Sequence, residues 1–201
     1  WPIGRTPRRS PAPKRRSTRS KKAAVGDLAL VYLDECGFSP SQPINYSWTL
    51  AGHRKRIPFE NPAGRRVNAL AALVLTADAR SLIWMTRPRP GHALVGFLNE
   101  ALPDHPRRRV VVLDNAALHR NRVVVAARRA LREKGIVLYY LPPYSPALNA
   151  IEPYLGVVKH HEMPERTYRT LPELSDAIDA AFARVEARLT SNPLQQLCPC
   201  A

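Results

Sequence analysis

Val110-Val-Val-Leu-Asp114-Asn115, followed by Ala116 to Lys134 and then by Gly135-Ile-Val-Leu-Tyr-Tyr-Leu141-Pro142-Pro143, is the stretch that decides the fold. Val110 to Leu113 is short and wholly apolar, as a strand buried on both faces must be. Ala116 to Lys134 reads as a basic helix, and Gly135 after it is a good C-terminal stop. Ile136 to Leu141 reads as a second strand, ended by a Pro-Pro pair that cannot extend a ladder. Strand, helix and strand in so short a span make a βαβ unit. Its two strands are expected to be parallel, with a right-handed crossover.

Working upstream, Leu28 to Leu33 is a buried strand, and Tyr46-Ser-Trp48-Thr-Leu50 alternates like another, with Gly52 after it. Val67 to Leu75 and Ser81 to Thr86 are strands joined by Thr76-Ala-Asp78-Ala, a hairpin turn. Gly91 to Leu102 carries Leu94, Phe97 and Leu98 at helical spacing. Downstream, a helix is expected to begin near Asn149. A last amphipathic helix, Leu171 to Leu189, presents Leu174, Ile178, Phe182, Val185 and Leu189 on one side. Antiparallel hairpins followed by a βαβ unit predict an α/β protein, a mixed sheet flanked by helices. No internal repeat is evident.

The 201 residues suffice for one sizeable domain, and 45% hydrophobic residues are ordinary for a globular chain. The charge is not ordinary. A net +15 and a pI near 10.6 point to nucleic acid, an anionic membrane or an acidic protein as partner. No apolar run approaches the roughly 20 residues of a membrane span, so no membrane partner is expected. The basic N-terminus lacks the apolar core of a signal peptide. Cys36, Cys198 and Cys200 are too few for a disulfide scaffold and fit a reducing compartment, and Cys198-Pro-Cys200 is too short and isolated for a zinc site. Residues 1–22 hold nine basic residues and no acid. So charged a segment cannot bury a core. Residues 1–24 are therefore read as a basic, Pro-rich arm or linker, 25–192 as the folded domain and 193–201 as a tail. Within the arm, Arg8, Arg9, Arg15, Arg16, Lys21 and Lys22 are candidate DNA-phosphate contacts; a merely solubilising tail is the alternative.

Three acids stand out. Asp34 ends the apolar run from Leu28, Asp114 ends the run from Val110, and Glu152 lies in Leu141-Pro-Pro-Tyr-Ser-Pro-Ala-Leu-Asn149-Ala-Ile-Glu152. Each has a local explanation: a turn starter at Asp34, an N-cap at Asp114, and a capping box of Asn149 with Glu152. Taken together they suggest more. Residues just past the C-terminal ends of strands line the ligand crevice of an α/β sheet. A carboxylate at a buried strand tip is costly unless its charge is compensated. Adjacent strands would let Asp34 and Asp114 share divalent cations, which favour oxygen ligands, with Glu152 swung in from a helix start. A nucleotide-binding α/β enzyme is the rival, but no G-x-G-x-x-G loop is present.

Leu33-Asp-Glu-Cys-Gly-Phe38, Val112-Leu-Asp-Asn-Ala-Ala-Leu-His-Arg120 and Leu141-Pro-Pro-Tyr-Ser-Pro-Ala-Leu-Asn-Ala-Ile-Glu152 resemble the DDE transposases of the mariner-like superfamily, in its bacterial branch, insertion sequence family 630. Trp48 with Gly52 resembles that family's Trp-containing strand. The resemblance implies an RNase H-like catalytic domain. It implies that Asp34, Asp114 and Glu152 hold two ions, Mg²⁺ or Mn²⁺, for in-line displacement at phosphodiesters. Asn115, His119 and Asn149 match motif positions and are read as supporting or DNA-contacting groups; an exposed polar position is the alternative for His119. Ala147, Ala150 and Leu155 depart from the pattern where it places no ligand. The implied activity is DNA strand cleavage and strand transfer at transposon ends, in a bacterial cytoplasm at the nucleoid. The implied partners are double-stranded DNA (transposon ends and target), a second copy forming a homodimer on DNA, and a possible separate helix-turn-helix polypeptide. A catalytically decayed DNA-binding remnant is the alternative function.

Overall fold

The computed structural model describes residues 28–41, 49–54, 56, 65–76, 79–88, 92–102, 108–143 and 145–191. The basic arm, the C-terminal tail and most of the expected strand at Tyr46–Leu50 lie outside the described residues.

Among the described residues, five strands form one sheet: β1 (Leu28–Phe38), β2 (Val67–Leu75), β3 (Arg80–Thr86), β4 (Arg108–Leu113) and β5 (Ile136–Tyr140). Their order is β3-β2-β1-β4-β5. The first three are antiparallel neighbours, whereas β4 runs parallel to both β1 and β5. This is the mixed sheet that the sequence predicts, and the βαβ unit supplies its parallel half.

Side chains on a strand alternate between faces, so β1 serves two cores. Leu30, Tyr32, Cys36 and Phe38 belong to one cluster, and Val31 and Leu33 to the other. Helix α1 (Ala93–Glu100) and helix α2 (Arg122–Glu133) cover the second face through Leu94, Phe97, Leu98, Val124 and Leu131. Helix α3 (Glu152–Val157) and helix α4 (Leu171–Ser191) cover the first through Tyr154, Leu155, Leu174, Ile178, Phe182 and Val185. Phe182 stacks on Trp84 with ring centroids 5.4 Å apart and meets Phe38 edge-on at 6.4 Å. Two carboxylates of α4 finish the docking. Asp179 accepts from the Trp84 indole N–H at 2.9 Å, and Glu186 accepts from the Leu82 backbone N–H of the sheet-edge strand β3.

Three local readings are corrected. β1 does not stop at Leu33. Its ladder with β2 continues through Asp34↔Ala71 to Phe38↔Val67, so Asp34 lies within the strand rather than at its tip. Backbone pairing with an intact neighbour overrides the change to acidic side chains. The basic helix is not continuous from Ala116 either. Ala117–Arg120 form a 3₁₀ turn, and Asn121 then caps α2 by accepting from the Val124 N–H at 2.9 Å. An Asn side chain that competes for backbone donors favours such a restart. Gly135 closes α2 as expected, with φ +76°, a conformation that side chains with a Cβ rarely adopt. The third correction, at Asn149, bears on the site.

Candidate active site

The last β1–β4 pair is Tyr32↔Val112, and β4 itself ends at Leu113. Beyond that pair β1 is bonded to β2 and, among the described strands, to nothing on its other side. A cleft of about 370 Å³ opens where β4 stops. Asp34, Asp114, Asn115, Asn149 and Glu152 all line it, with a wall of Leu141, Pro142 and Pro143. The structure thus brings the three sequence-predicted acids to one place, together with two of their three expected supporting residues.

Asp34 shares the parity of Leu30, Tyr32, Cys36 and Phe38, so it points toward the apolar face that α3 and α4 cover. Burial pushes its carboxyl up from 3.8 to about 6; the Glu35 N–H bonded to Oδ1 at 2.8 Å opposes this, while Glu152 and Asp114 add to it. Asn149 is only 3% exposed, and its Nδ2 donates to Asp34 Oδ2 at 3.2 Å and to the Leu33 carbonyl at 3.4 Å. This carbonyl lies beyond the last β1–β4 pair. Asn149 therefore caps a strand edge rather than a helix. The capping box that is the local alternative for Glu152 does not form, since α3 has Ile151 at its N-cap without a side-chain bond.

Asp114 is tied from within its own loop. Oδ1 accepts from the Ala116 N–H at 3.1 Å and lies 2.6 Å from His119 Nδ1. His119 is not on an exposed face: it is 3% exposed, against 50% for the Asp114 side chain. An ionised carboxylate only accepts, so this contact selects the tautomer with the proton on Nδ1. Tyr140 completes the set by donating from its hydroxyl to the His119 carbonyl at 2.7 Å. Glu152, in the first turn of α3, is exposed.

Among the described residues, no three His, Cys, Asp or Glu side chains stand close enough to hold one ion as they are placed. Asn115 Oδ1, His119 Nε2 and Asn149 Oδ1 are buried without a hydrogen-bond partner among the described residues. Unsatisfied buried polar atoms are uncommon in folded proteins, and here three occur in or beside one cleft. The sequence reading did not single out Pro142 and Pro143 as cleft wall, or Tyr140 as a partner of His119. The prolines sit in the quoted motif, but no local pattern signals the Tyr140 contact, which spans 21 positions.

The strand order and the flanking helices define an RNase H-like fold with an acid-lined cleft at the end of β4. Residues 29–175 match the family described as DDE superfamily endonuclease, and the chain belongs to that family. No curated protein sequence matches it. Among solved structures it is similar to the Mos1 transposase paired-end complex with the left transposon end (TM-score 0.52, 14% identity, 95% of this chain and 64% of that one). It is equally similar to the Mos1 mariner paired-end complex with Mn (TM-score 0.52, 14% identity, 94% and 63%). The Mos1 strand transfer complex follows at TM-score 0.50, 16% identity, 94% and 63%. At these identities the likeness is one of fold. The chain spans less than two thirds of the length of those transposase chains.

Proposed function

We propose that this chain is the catalytic domain of a DDE transposase that cleaves DNA at transposon ends and joins the freed strand to a target. We assign it to the mariner-like superfamily in the insertion sequence family 630 branch, on the three motifs quoted above. The observation that carries the reading is the cleft itself, which Asp34, Asp114 and Glu152 all line at the end of β4 in a DDE-family chain. Mos1 complexes with transposon ends, one of them with Mn, share the fold and support a DNA substrate and a divalent ion.

The donor set fits Mg²⁺ or Mn²⁺. It consists of carboxylate oxygens, the ligands that hard cations prefer. Burial holds Asp34 toward its protonated form, and a cation would reverse that tendency. Bound divalent ions supply Lewis acidity for displacement at a phosphodiester. The chain's own residues do the positioning. Asn149 fixes the rotamer of Asp34. His119 and the Ala116 N–H hold Asp114 Oδ1, leaving Oδ2 for the cleft. Pro142 and Pro143 make a stiff wall. Glu152 brings the third carboxylate from an exposed position in the first turn of a short helix.

Nicking of supercoiled plasmid tests this. The chain is expected to nick with Mg²⁺ or Mn²⁺ and not with EDTA. Glu152→Gln should abolish nicking with almost no change in Tm, since the side chain is exposed. Wild-type chain that binds DNA but never nicks, or Glu152→Gln that nicks normally, would overturn the reading. The first of these outcomes is that of a decayed DNA-binding remnant.

A further inference from the structure

A second feature lies outside the cleft, where α2 packs on β5, the edge strand opposite β3. A small pocket of about 160 Å³ is lined by Arg128, Arg132, Ile136, Leu138 and Tyr140. The Arg120 guanidinium lies 5.1 Å from the Tyr140 ring centroid, and that of Arg128 lies 5.5 Å away. Arg128 Nη2 also donates to the Tyr140 hydroxyl at 3.3 Å. Among the described residues, none of Arg120, Arg128 and Arg132 pairs with a carboxylate. The one acid of α2, Glu133, is taken by Arg129 at 3.1 Å.

Two like charges at one aromatic ring, with Arg132 lining the pocket beside it, repel one another. The ring face offsets part of that, because a guanidinium over a tyrosine is attracted by its quadrupole. The arrangement leaves the planar N–H forks without an anion, and a planar fork matches a phosphate in bidentate geometry. The position relative to the cleft is defined by bonds. Tyr140 is hydrogen-bonded to the His119 carbonyl, and His119 to Asp114. Leu141, Pro142 and Pro143, which follow Tyr140 directly, form the cleft wall. Tyr140 thus links the arginines to the cleft through its neighbours in sequence and through His119.

We propose that Arg120, Arg128 and Arg132, gathered around Tyr140, form a subsite for a DNA backbone phosphate outside the catalytic cleft. The proposal rests on DNA being the substrate. Its role is to hold the strand in register beyond the scissile position, through sequence-independent contacts.

The test is duplex binding by fluorescence anisotropy in EDTA, so that catalysis plays no part, with salt varied. Each phosphate contact contributes about 0.9 to the slope of log affinity against log salt. Arg120→Gln with Arg128→Gln and Arg132→Gln should lower that slope by about 1, the share of the one phosphate the subsite holds. A charge-matched control, Arg54→Gln with Arg56→Gln and Arg169→Gln, should lower it by clearly less. Replacing single phosphates with neutral methylphosphonates should weaken wild-type binding at one or two positions and leave the triple variant indifferent there. If the triple variant does not fold, Arg120→Gln and Arg132→Gln singly, both at exposed residues, should each lower the slope by a part of that amount. An unchanged slope, or an equal fall in the control, overturns the subsite. Wild-type chain with no salt-dependent DNA binding overturns the DNA reading, and the subsite with it. Wild-type chain that binds and nicks while the patch variants keep its slope overturns the subsite alone.

Discussion

Asp34→Asn is the substitution that best separates a functional carboxylate from a structural one. In the folded protein, burial raises the Asp34 carboxyl from 3.8 to about 6. The folded state then binds a proton that the unfolded state has released, so stability falls as pH rises from about 4 to about 6 and stays lower above that. At full value such a rise corresponds to about 3 kcal/mol. The carboxylate borders an open cleft where solvent screens it, so about 1–2 kcal/mol is the expected cost at pH 7.5. Asn removes the charge, and its carbonyl oxygen can keep the Glu35 N–H bond. Its new amide N–H₂ can meet Asn149 Oδ1 after an amide flip, an oxygen that is otherwise buried without a partner among the described residues. In EDTA at pH 7.5, Asp34→Asn should therefore raise Tm by roughly 3–6 °C, the scale for a domain of this size. The gain should shrink as pH falls through 6 and be small near pH 4. Added Mg²⁺ should raise the Tm of the wild-type chain and not that of the variant. Thermal melts by circular dichroism over this pH range, with and without Mg²⁺, provide the assay. A variant less stable than wild type at pH 7.5, or a gain independent of pH, would refute the argument that Asp34 is held at an energetic cost.

Three further outcomes are expected. His119→Ala removes the partner that orients Asp114 Oδ1, so the Mg²⁺ concentration needed for half-maximal nicking should rise about ten- to a hundredfold, measured by plasmid nicking against a Mg²⁺ titration. Phe182→Ala removes a fully buried ring packed on Trp84 and Phe38 and should cost about 3–5 kcal/mol in urea denaturation. Deleting residues 1–22 removes nine positive charges, so duplex affinity should fall alike for all sequences with a shallower salt dependence; an unchanged slope would make the arm a solubilising tail.

Most of the sheet is legible in the sequence because its signals are local. Val67–Leu75 is recovered to the residue, Ser81–Thr86 and Ile136–Leu141 to within one, and the Gly135 stop by its need for positive φ. Errors arise where a distant partner decides. β1 runs on to Phe38 because β2 lies alongside it, which no window around Asp34-Glu35 can reveal. The expected helix breaks at Asn121 because one side chain captures the Val124 N–H, a choice that apolar periodicity does not register. The acids themselves are visible as charges that interrupt apolar runs. What holds them is not, and His119 shows why.

By pattern alone His119 is a polar residue near the start of a basic helix. In the fold the 3₁₀ turn rotates it inward, and two constraints then act on it. Asp114 fixes its proton on Nδ1, and Tyr140 fixes its backbone carbonyl from the end of the neighbouring strand. Tyr140 also carries the Arg120 and Arg128 guanidiniums at its ring. The same residue therefore touches the group that orients a cleft carboxylate and the basic patch outside the cleft. Hydrogen bonds and ring contacts of this kind depend on which strand ends lie level. That is set by the β4–β5 register, Leu113↔Tyr140, which places the residue before Asp114 opposite the residue before the Leu141-Pro142-Pro143 wall. Shifting that register by one position would turn Tyr140 to the opposite face of the sheet and remove both contacts at once. The parallel pairing of two short apolar strands thus carries the geometry of the cleft, although neither strand contributes a catalytic side chain of its own.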